Sequence, residues 1–176
     1  MGKEKLPPAQ KGRMSIIMAF DKAKAYLEGF GLADRIIRTE QPSATVAEAA
    51  EALGCDPGMI AKTLSFLVDG QPVLILADGL ARIDNRKYKD TFGCKAKMIP
   101  PDQVGALVGH ETGGVCPFGV NGGVTVCLDE SLRKHETVYP AAGDDHSGVR
   151  LSIPELEKCS GYSRWIDVSR EKEEGQ

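Results

Sequence analysis

The chain has 176 residues and a formal net charge of −3, with 41% hydrophobic and 27% charged residues. This composition is typical of one globular domain, and it argues against a protein that coats nucleic acid through its overall charge. No apolar run approaches the roughly 20 residues of a membrane span, and the first eight residues, charged and then proline-rich, do not read as a signal peptide.

Five cysteines are scattered along the chain, an odd number with no C-x-x-C spacing. That pattern favours neither a disulfide framework nor a zinc site, and it fits free thiols in a reducing cytoplasm. No metal and no cofactor are expected. We also expect a tail over residues 1–13, one domain over 14–170 and a charged tail over 171–176.

Each predicted helix begins after a capping residue or at a proline, and it ends at a glycine or where a predicted strand begins. Thr45 and Glu48 form a predicted capping box, and Asp84 is a predicted N-cap. In chain order the predicted helices cover 21–28, 45–53, 56–62, 85–92, 100–108 and 154–157.

Strands are predicted for short apolar or β-branched runs, with Asp69-Gly70 as a hairpin turn. In chain order they cover 36–38, 63–68, 73–77, 124–128, 136–139, 149–153 and 165–168. They occur in clusters without strict βαβ alternation, which predicts a mixed α+β domain rather than a doubly wound sheet.

Two segments carry residues suited to a ligand site. Gly113-Gly114-Val115-Cys116-Pro117-Phe118-Gly119 must be a shaped loop, because its glycines and proline do not suit a helix or central strand. Its glycines let a ligand approach the backbone, where N–H groups can bind an oxyanion or a carbonyl. Lys62 is the only charge in the apolar or small-residue run 59–68, so it needs water or a partner such as a phosphate.

The order of these two segments resembles the YbaK/EbsC family of aminoacyl-tRNA deacylases, from about residue 20 to about residue 169. The matching motifs are Ile60-Ala61-Lys62-Thr63-Leu64 and Gly-Gly-x-x-Pro-x-Gly at 113–119. The family includes free-standing relatives of the prolyl-tRNA synthetase editing domain. The resemblance implies a mixed, curved, barrel-like sheet of six or seven strands surrounded by short helices. It also implies hydrolysis of mischarged aminoacyl-tRNA, with tRNA-Pro favoured and prolyl-tRNA synthetase as a possible partner.

The resemblance also assigns roles to individual residues. Lys62 would contact the terminal adenosine of the tRNA or position the ester, and the loop backbone would hold the aminoacyl carbonyl and a water molecule. The loop residues with this catalytic role are Gly113, Gly114, Val115, Cys116 and Pro117. The substrate-binding residues are Thr45, Phe118, His146 and Gly148. Thr45 and Gly148 replace an aromatic and an acidic residue of the cysteinyl-tRNA-acting relatives, so a different amino acid is expected.

The sequence is also compatible with other functions. The chain could be a tRNA- or nucleotide-binding module, or a synthetase-associated module, that has lost catalysis. A thiol enzyme using Cys116 ranks last, because no histidine can be placed beside it from sequence. His110 is expected to shape the loop entrance, and His135 to lie on a solvated face. A basic stretch is either a phosphate-binding surface or an ordinary solvated helix; it comprises Arg82, Arg86, Lys87, Lys89, Lys95 and Lys97.

No partner in a membrane and no DNA partner is expected. Motifs of kinases, dehydrogenases, zinc proteases and serine hydrolases do not occur in the sequence.

Overall fold

The computed structural model describes residues 19–172, which form a mixed α+β fold. The predicted fold class is therefore confirmed. The helices are α1 (19–28), α2 (Val46–Leu53), α3 (Asn85–Phe92), α4 (Pro101–Val108) and α5 (Ile153–Cys159). The strands are β1 (Ile36–Arg38), β2 (Ala61–Val68), β3 (Gln71–Asp78), β4 (Ala81–Ile83), β5 (Thr125–Asp129), β6 (Thr137–Val138), β7 (Ser147–Val149), β8 (Leu151–Ser152), β9 (Arg164–Ile166) and β10 (Ser169–Glu171). Short 3₁₀ turns cover Ala33–Arg35, Pro57–Met59 and Glu130–Lys134.

The main sheet has four strands in the order β2-β3-β5-β9. Strands β2 and β3 form the predicted antiparallel hairpin, whereas β5 is parallel to β3 and β9 is parallel to β5. Three two-stranded antiparallel ladders complete the pairing: β1 with β7, β4 with β10, and β6 with β8.

Strand β3 lies at the centre of the molecule and is buried on both faces. Leu74 and Leu76 belong to the larger hydrophobic cluster, and Val73 and Ile75 belong to the smaller one. Side chains of a strand alternate between faces, so one apolar strand supplies both clusters. The larger cluster also contains residues of α1, α4 and α5.

Capping residues explain where two of the helices begin and end. The Thr45 hydroxyl accepts a hydrogen bond from the Glu48 N–H at 3.1 Å, and α2 ends at Gly54, whose φ is 70°. The Glu48 carboxylate accepts from the N–H of Ala44, one residue before the expected partner. Asp84 caps α3 by accepting from the N–H groups of Arg86 and Lys87.

Several predicted boundaries were wrong. The helix predicted at 56–62 is only the turn Pro57–Met59, because the antiparallel pairing of β2 with β3 already begins at Ala61. Strand β7 begins at Ser147, two residues before the predicted strand at 149–153, because it pairs with β1. The sequence did not predict β4 and β10, which are short and mostly polar and form through pairing with each other.

Strand β10 extends into the predicted C-terminal tail, and the predicted tail at 1–13 lies outside the described residues. Within residues 19–172, no helix has the length and apolar character needed to cross a membrane.

Candidate functional site

A cavity of about 380 Å³ lies between α2, the start of β2, the region of α4 and the loop before β7. This volume falls within the range typical of small-molecule sites. Much of its wall is apolar, including Val46, Ala49 and Leu53 from one face of α2. Residues that carry a hydroxyl group also line it, among them Thr39, Ser43, Thr45, Thr63, Ser65, Thr112 and Ser147.

Lys62 lines this cavity near the start of β2. Its ammonium group donates hydrogen bonds to the carbonyl oxygens of Gly79, at 3.3 Å, and Ala81. Burial lowers the pKa of Lys62; the nearby Asp78 carboxylate acts in the opposite direction, and the charge of Arg82 adds to the lowering. The ammonium group is thus held by backbone carbonyls beside the cavity, which leaves one of its three donors available.

The glycine-proline loop contributes Gly113 and Val115 to the cavity wall. Gly113 has a φ of 97°, which favours glycine. Gly114 is buried against the backbone of Gly143, and a Cβ there would lie closer than 3 Å to it. The Gly114 N–H donates to the Glu111 carbonyl at 3.0 Å. This donor is therefore engaged within the loop.

Cys116 lies behind the cavity wall, fully buried beside His110. Its Sγ atom is 3.5 Å from Nε2 of His110, a neighbour that the sequence could not identify. Burial raises the pKa of the Cys116 thiol to about 12 and lowers the pKa of His110. Both groups are therefore neutral near pH 7, which does not suit a thiolate nucleophile.

His110 and Phe118 form the inner side of the loop. His110 is 1% exposed, and its Nε2 lies 2.7 Å from the Phe118 carbonyl oxygen. Pro117 is also buried, and the Phe118 ring is fully buried with its centroid 6.2 Å from that of Tyr26. These residues pack the loop onto the core; the cavity wall here is formed by Gly113 and Val115.

The other predicted substrate-binding residues lie at the cavity or next to it. Thr45 lines the cavity and caps α2. Gly148 is buried in β7, and a Cβ there would lie 2.6 Å from Cδ1 of Leu53, which lines the cavity. His146 is partly exposed, and its Nδ1 lies 2.6 Å from a carboxylate oxygen of Asp145.

Asp144 and Thr63 are cavity residues that the sequence analysis missed. Asp144 is 6% exposed and forms a 3.0 Å ion pair with Arg38. The Thr63 hydroxyl is buried and has no hydrogen-bond partner among the described residues. Thr63 and Ser65 are alternate residues of an otherwise mainly apolar strand, and this spacing is the signal that could have placed them on one face.

Asp78, which is buried, and His135, which is partly buried, form a polar pair at the end of β3. Asp78 is 1% exposed, and its carboxylate lies 2.6 Å from Nε2 of His135 and 3.2 Å from Nζ of Lys134. Burial alone would raise the pKa of Asp78, but hydrogen bonds from His135 and the Leu80 N–H outweigh it and lower the pKa. The prediction that His135 lies on a solvated face was therefore wrong.

With this geometry established, the comparisons with known proteins identify the family. A profile described as the aminoacyl-tRNA editing domain matches residues 40–159. The chain belongs to this family. The resemblance to YbaK-like deacylases inferred from Lys62 and the glycine-proline loop is thus confirmed, since the matched region contains both.

Relatives of this editing domain occur alone and within synthetases. The uncharacterized protein YwhH of Bacillus subtilis is 41% identical over 157 residues, which are 89% of this chain and 100% of YwhH. The proline–tRNA ligase of Nitratidesulfovibrio vulgaris is 33% identical over 90 residues, or 51% of this chain and 16% of the ligase. The crystal structure of a candidate trans-editing enzyme for prolyl-tRNA synthetase has a TM-score of 0.78 at 27% identity, covering 94% of this chain and 99% of that chain.

Proposed function

We propose that this editing domain hydrolyses the ester bond of mischarged aminoacyl-tRNA, with tRNA-Pro as the substrate tRNA. The family supports the reaction class. The similarity to proline–tRNA ligases and to a candidate trans-editing enzyme for prolyl-tRNA synthetase supports the choice of tRNA. On this proposal the protein acts in the cytoplasm, where translation takes place, and prolyl-tRNA synthetase is its proposed partner.

The observation that carries the proposal is that Lys62 and Gly113 line the same cavity, although they are 51 positions apart in the chain. Lys62 supplies a positive charge, and Gly113 supplies backbone that no side chain covers. An aminoacyl ester on a terminal adenosine needs a contact of both kinds, one for the nucleotide and one for the carbonyl that reacts.

Water is the nucleophile in the proposed reaction. Its oxygen forms a bond to the ester carbonyl carbon, and the carbonyl oxygen becomes an oxyanion. The carbonyl then re-forms as the bond from that carbon to the ribose oxygen breaks, the ribose oxygen takes a proton lost by the attacking water, and the free amino acid leaves. We propose that the ribose hydroxyl next to the ester assists the attack of the water. No side chain is required as a nucleophile.

The proposed oxyanion donors are the backbone N–H groups of Gly113 and Val115, because Gly114 already donates to Glu111. Donors fixed where negative charge develops stabilise the transition state more than the ground state. Lys62 uses two of its donors on Gly79 and Ala81, and the third is proposed to bind the adenosine or its phosphate.

The cavity also bears on the choice of amino acid. Its wall combines the apolar side chains of Val46, Ala49 and Leu53 with several hydroxyl groups, which suits a small side chain. An added methylene in an apolar pocket changes binding by only about 1–3 kcal/mol, so synthetases accept some wrong amino acids and need editing.

Hydrolysis of tRNA-Pro charged with alanine, serine, threonine or 2-aminobutyrate tests this function, with prolyl-tRNA-Pro as the control. We expect the protein to release at least one small non-cognate amino acid and to spare proline. Binding of tRNA without release of any amino acid would contradict the proposal and favour the alternative, a module that binds tRNA without catalysis.

A further inference from the structure

The ladder of β4 and β10 places two arginines directly opposite each other. Arg82 and Arg170 are partners in its antiparallel register, and both side chains are exposed. Cβ atoms of directly opposed residues lie about 4.5–5.5 Å apart, and like charges in this arrangement are destabilising. An anion bound between the two guanidinium groups would remove this repulsion.

Neither arginine forms an ion pair with a residue in the part of the chain that the structure describes. The charge of Arg170 acts on the Asp84 carboxylate, but the two groups form no ion pair. Asp84 accepts from two N–H groups at the start of α3, and Asp167 binds Lys87 at 3.0 Å. The positive charge of the two arginines is therefore available to a ligand.

This pair adjoins the cavity through the backbone. Ala81, which accepts a hydrogen bond from the Lys62 ammonium group, is the residue immediately before Arg82. Arg82 is close enough for its charge to add to the effect of burial on the pKa of Lys62. Lys62 is thus linked to Arg82 through Ala81, and Arg82 is paired with Arg170 in the β4–β10 ladder.

We propose that Arg82 and Arg170 bind a phosphodiester of the tRNA strand whose 3′ end enters the cavity. This inference rests on the proposed function, which supplies tRNA as the ligand. Guanidinium groups match phosphate oxygens in a bidentate geometry, and phosphate contacts fix the register of a nucleic acid on a protein. With an overall charge of −3, the protein must bind tRNA through a local site of this kind.

The inference also narrows the basic stretch identified from sequence. Lys87 within that stretch is already paired with Asp167, whereas Arg82 is opposed by Arg170, which lies 88 positions later in the chain. We therefore place the phosphate-binding site on the β4–β10 ladder beside Lys62.

Binding of uncharged tRNA-Pro tests this surface. It is measured by fluorescence anisotropy between about 50 and about 300 mM NaCl. The test variant carries both Arg82→Gln and Arg170→Gln. The matched control carries both Lys24→Gln and Arg150→Gln, and so removes two exposed charges elsewhere on the protein. We expect the dissociation constant of the arginine variant to rise about tenfold. We also expect the slope of its logarithm against log salt to fall by about 0.7, the value for one single-strand phosphate contact.

Two further measurements separate binding from folding. Arg82→Lys with Arg170→Lys keeps both charges and should restore most of the salt dependence. Thermal unfolding of the glutamine variant should occur at an unchanged or slightly higher temperature, because the like-charge repulsion is gone.

An unchanged affinity and salt slope in the glutamine variant would overturn the inference. An equal loss of affinity in the control with Lys24→Gln and Arg150→Gln would also overturn it, as would a wild type that does not bind tRNA-Pro. The proposed hydrolysis is judged separately, by amino acid release. A wild type that binds tRNA-Pro through these arginines and releases no amino acid would retain the surface and refute the catalytic proposal.

Discussion

The ammonium group of Lys62 donates a hydrogen bond to the carbonyl oxygen of Ala81, across the turn that joins β3 to β4. This contact fixes the one cation of the 59–68 run at the side of the cavity. It also explains how a partly buried lysine is accommodated: backbone carbonyls replace some of its lost hydration.

The pKa of Lys62 gives a pH-dependence that can be tested. Burial lowers this pKa, so the ammonium form is lost at a lower pH than for an ordinary lysine. We expect the deacylation rate to fall as pH rises through the lowered value. Asp78→Asn removes the opposing carboxylate, so it should move this alkaline limb to still lower pH. A pH–rate profile of both proteins measures the shift, and superimposable alkaline limbs would contradict it.

Stability should change with pH in the opposite direction. The unfolded chain binds the Lys62 proton more tightly than the folded protein, because the folded pKa is the lower one. Stability from this group therefore rises as pH increases from the folded pKa to the unfolded pKa. Urea unfolding across this interval should show that the stability of wild type relative to Lys62→Met increases with pH.

The Cys116 thiol should be unreactive and dispensable for turnover. Its pKa is raised to about 12 by burial, so almost no thiolate exists near pH 7. We expect Cys116→Ser to keep most of its deacylation rate. Iodoacetamide should label the partly exposed Cys94 in the folded protein and leave Cys116 unlabelled, as read by mass spectrometry. Labelling of Cys116 that substrate prevents, with loss of activity, would support a thiol mechanism instead.

Glycine substitutions should separate steric crowding from backbone strain in the loop. Gly114→Ala places a Cβ against the Gly143 backbone and should lower the free energy of unfolding by about 1–3 kcal/mol. Gly113→Ala meets no atom within 4 Å but has a φ of 97°, which costs about 1–2 kcal/mol. Gly122→Ala has open space and no such φ, so it is the control. Equal stability of all three variants, measured by urea unfolding, would refute this description.

Gly148 and Leu53 should be energetically coupled. Gly148→Ala brings a Cβ within 2.6 Å of Cδ1 of Leu53, so Leu53 must move relative to the cavity. In a Leu53→Ala background that space is free, and the same substitution should be tolerated. A double-mutant cycle on unfolding free energies should give a coupling of about 1 kcal/mol or more. Additive effects would show that the two side chains do not share this space.

The sequence predicted the parts of the fold whose causes are local. Thr45, Asp84 and the Asp69-Gly70 turn act through neighbouring residues, and α2, α3 and the β2–β3 hairpin occur where expected. Strands β4 and β10 are stabilised by pairing with each other across 86 positions or more, and no local pattern reveals such a partner. The predicted helix at 56–62 was wrong for the same reason, because pairing of Ala61 with Asp78 ends it early.

The candidate site was also predicted only in part from the sequence. Lys62 and Gly113 could be singled out as a lone charge and a flexible backbone, and the structure places them on one cavity. The neighbour relationship of Cys116 and His110, and that of Asp78 and His135, depend on the loop and sheet packing in three dimensions. Their sequence spacing carries no signal of contact.

The most direct test of the central claim is single-turnover hydrolysis of mischarged tRNA-Pro by wild type and Lys62→Ala. The variant loses a partly buried charge whose acceptors are two carbonyls at the cavity edge. Its melting temperature should stay within a few degrees of wild type, since at this chain length a loss of about 1 kcal/mol lowers the melting temperature by about 2–4 °C. We expect wild type to release the amino acid and the folded variant to lose nearly all of that rate. Full hydrolysis by folded Lys62→Ala would contradict the account, because the reaction would then not depend on this site.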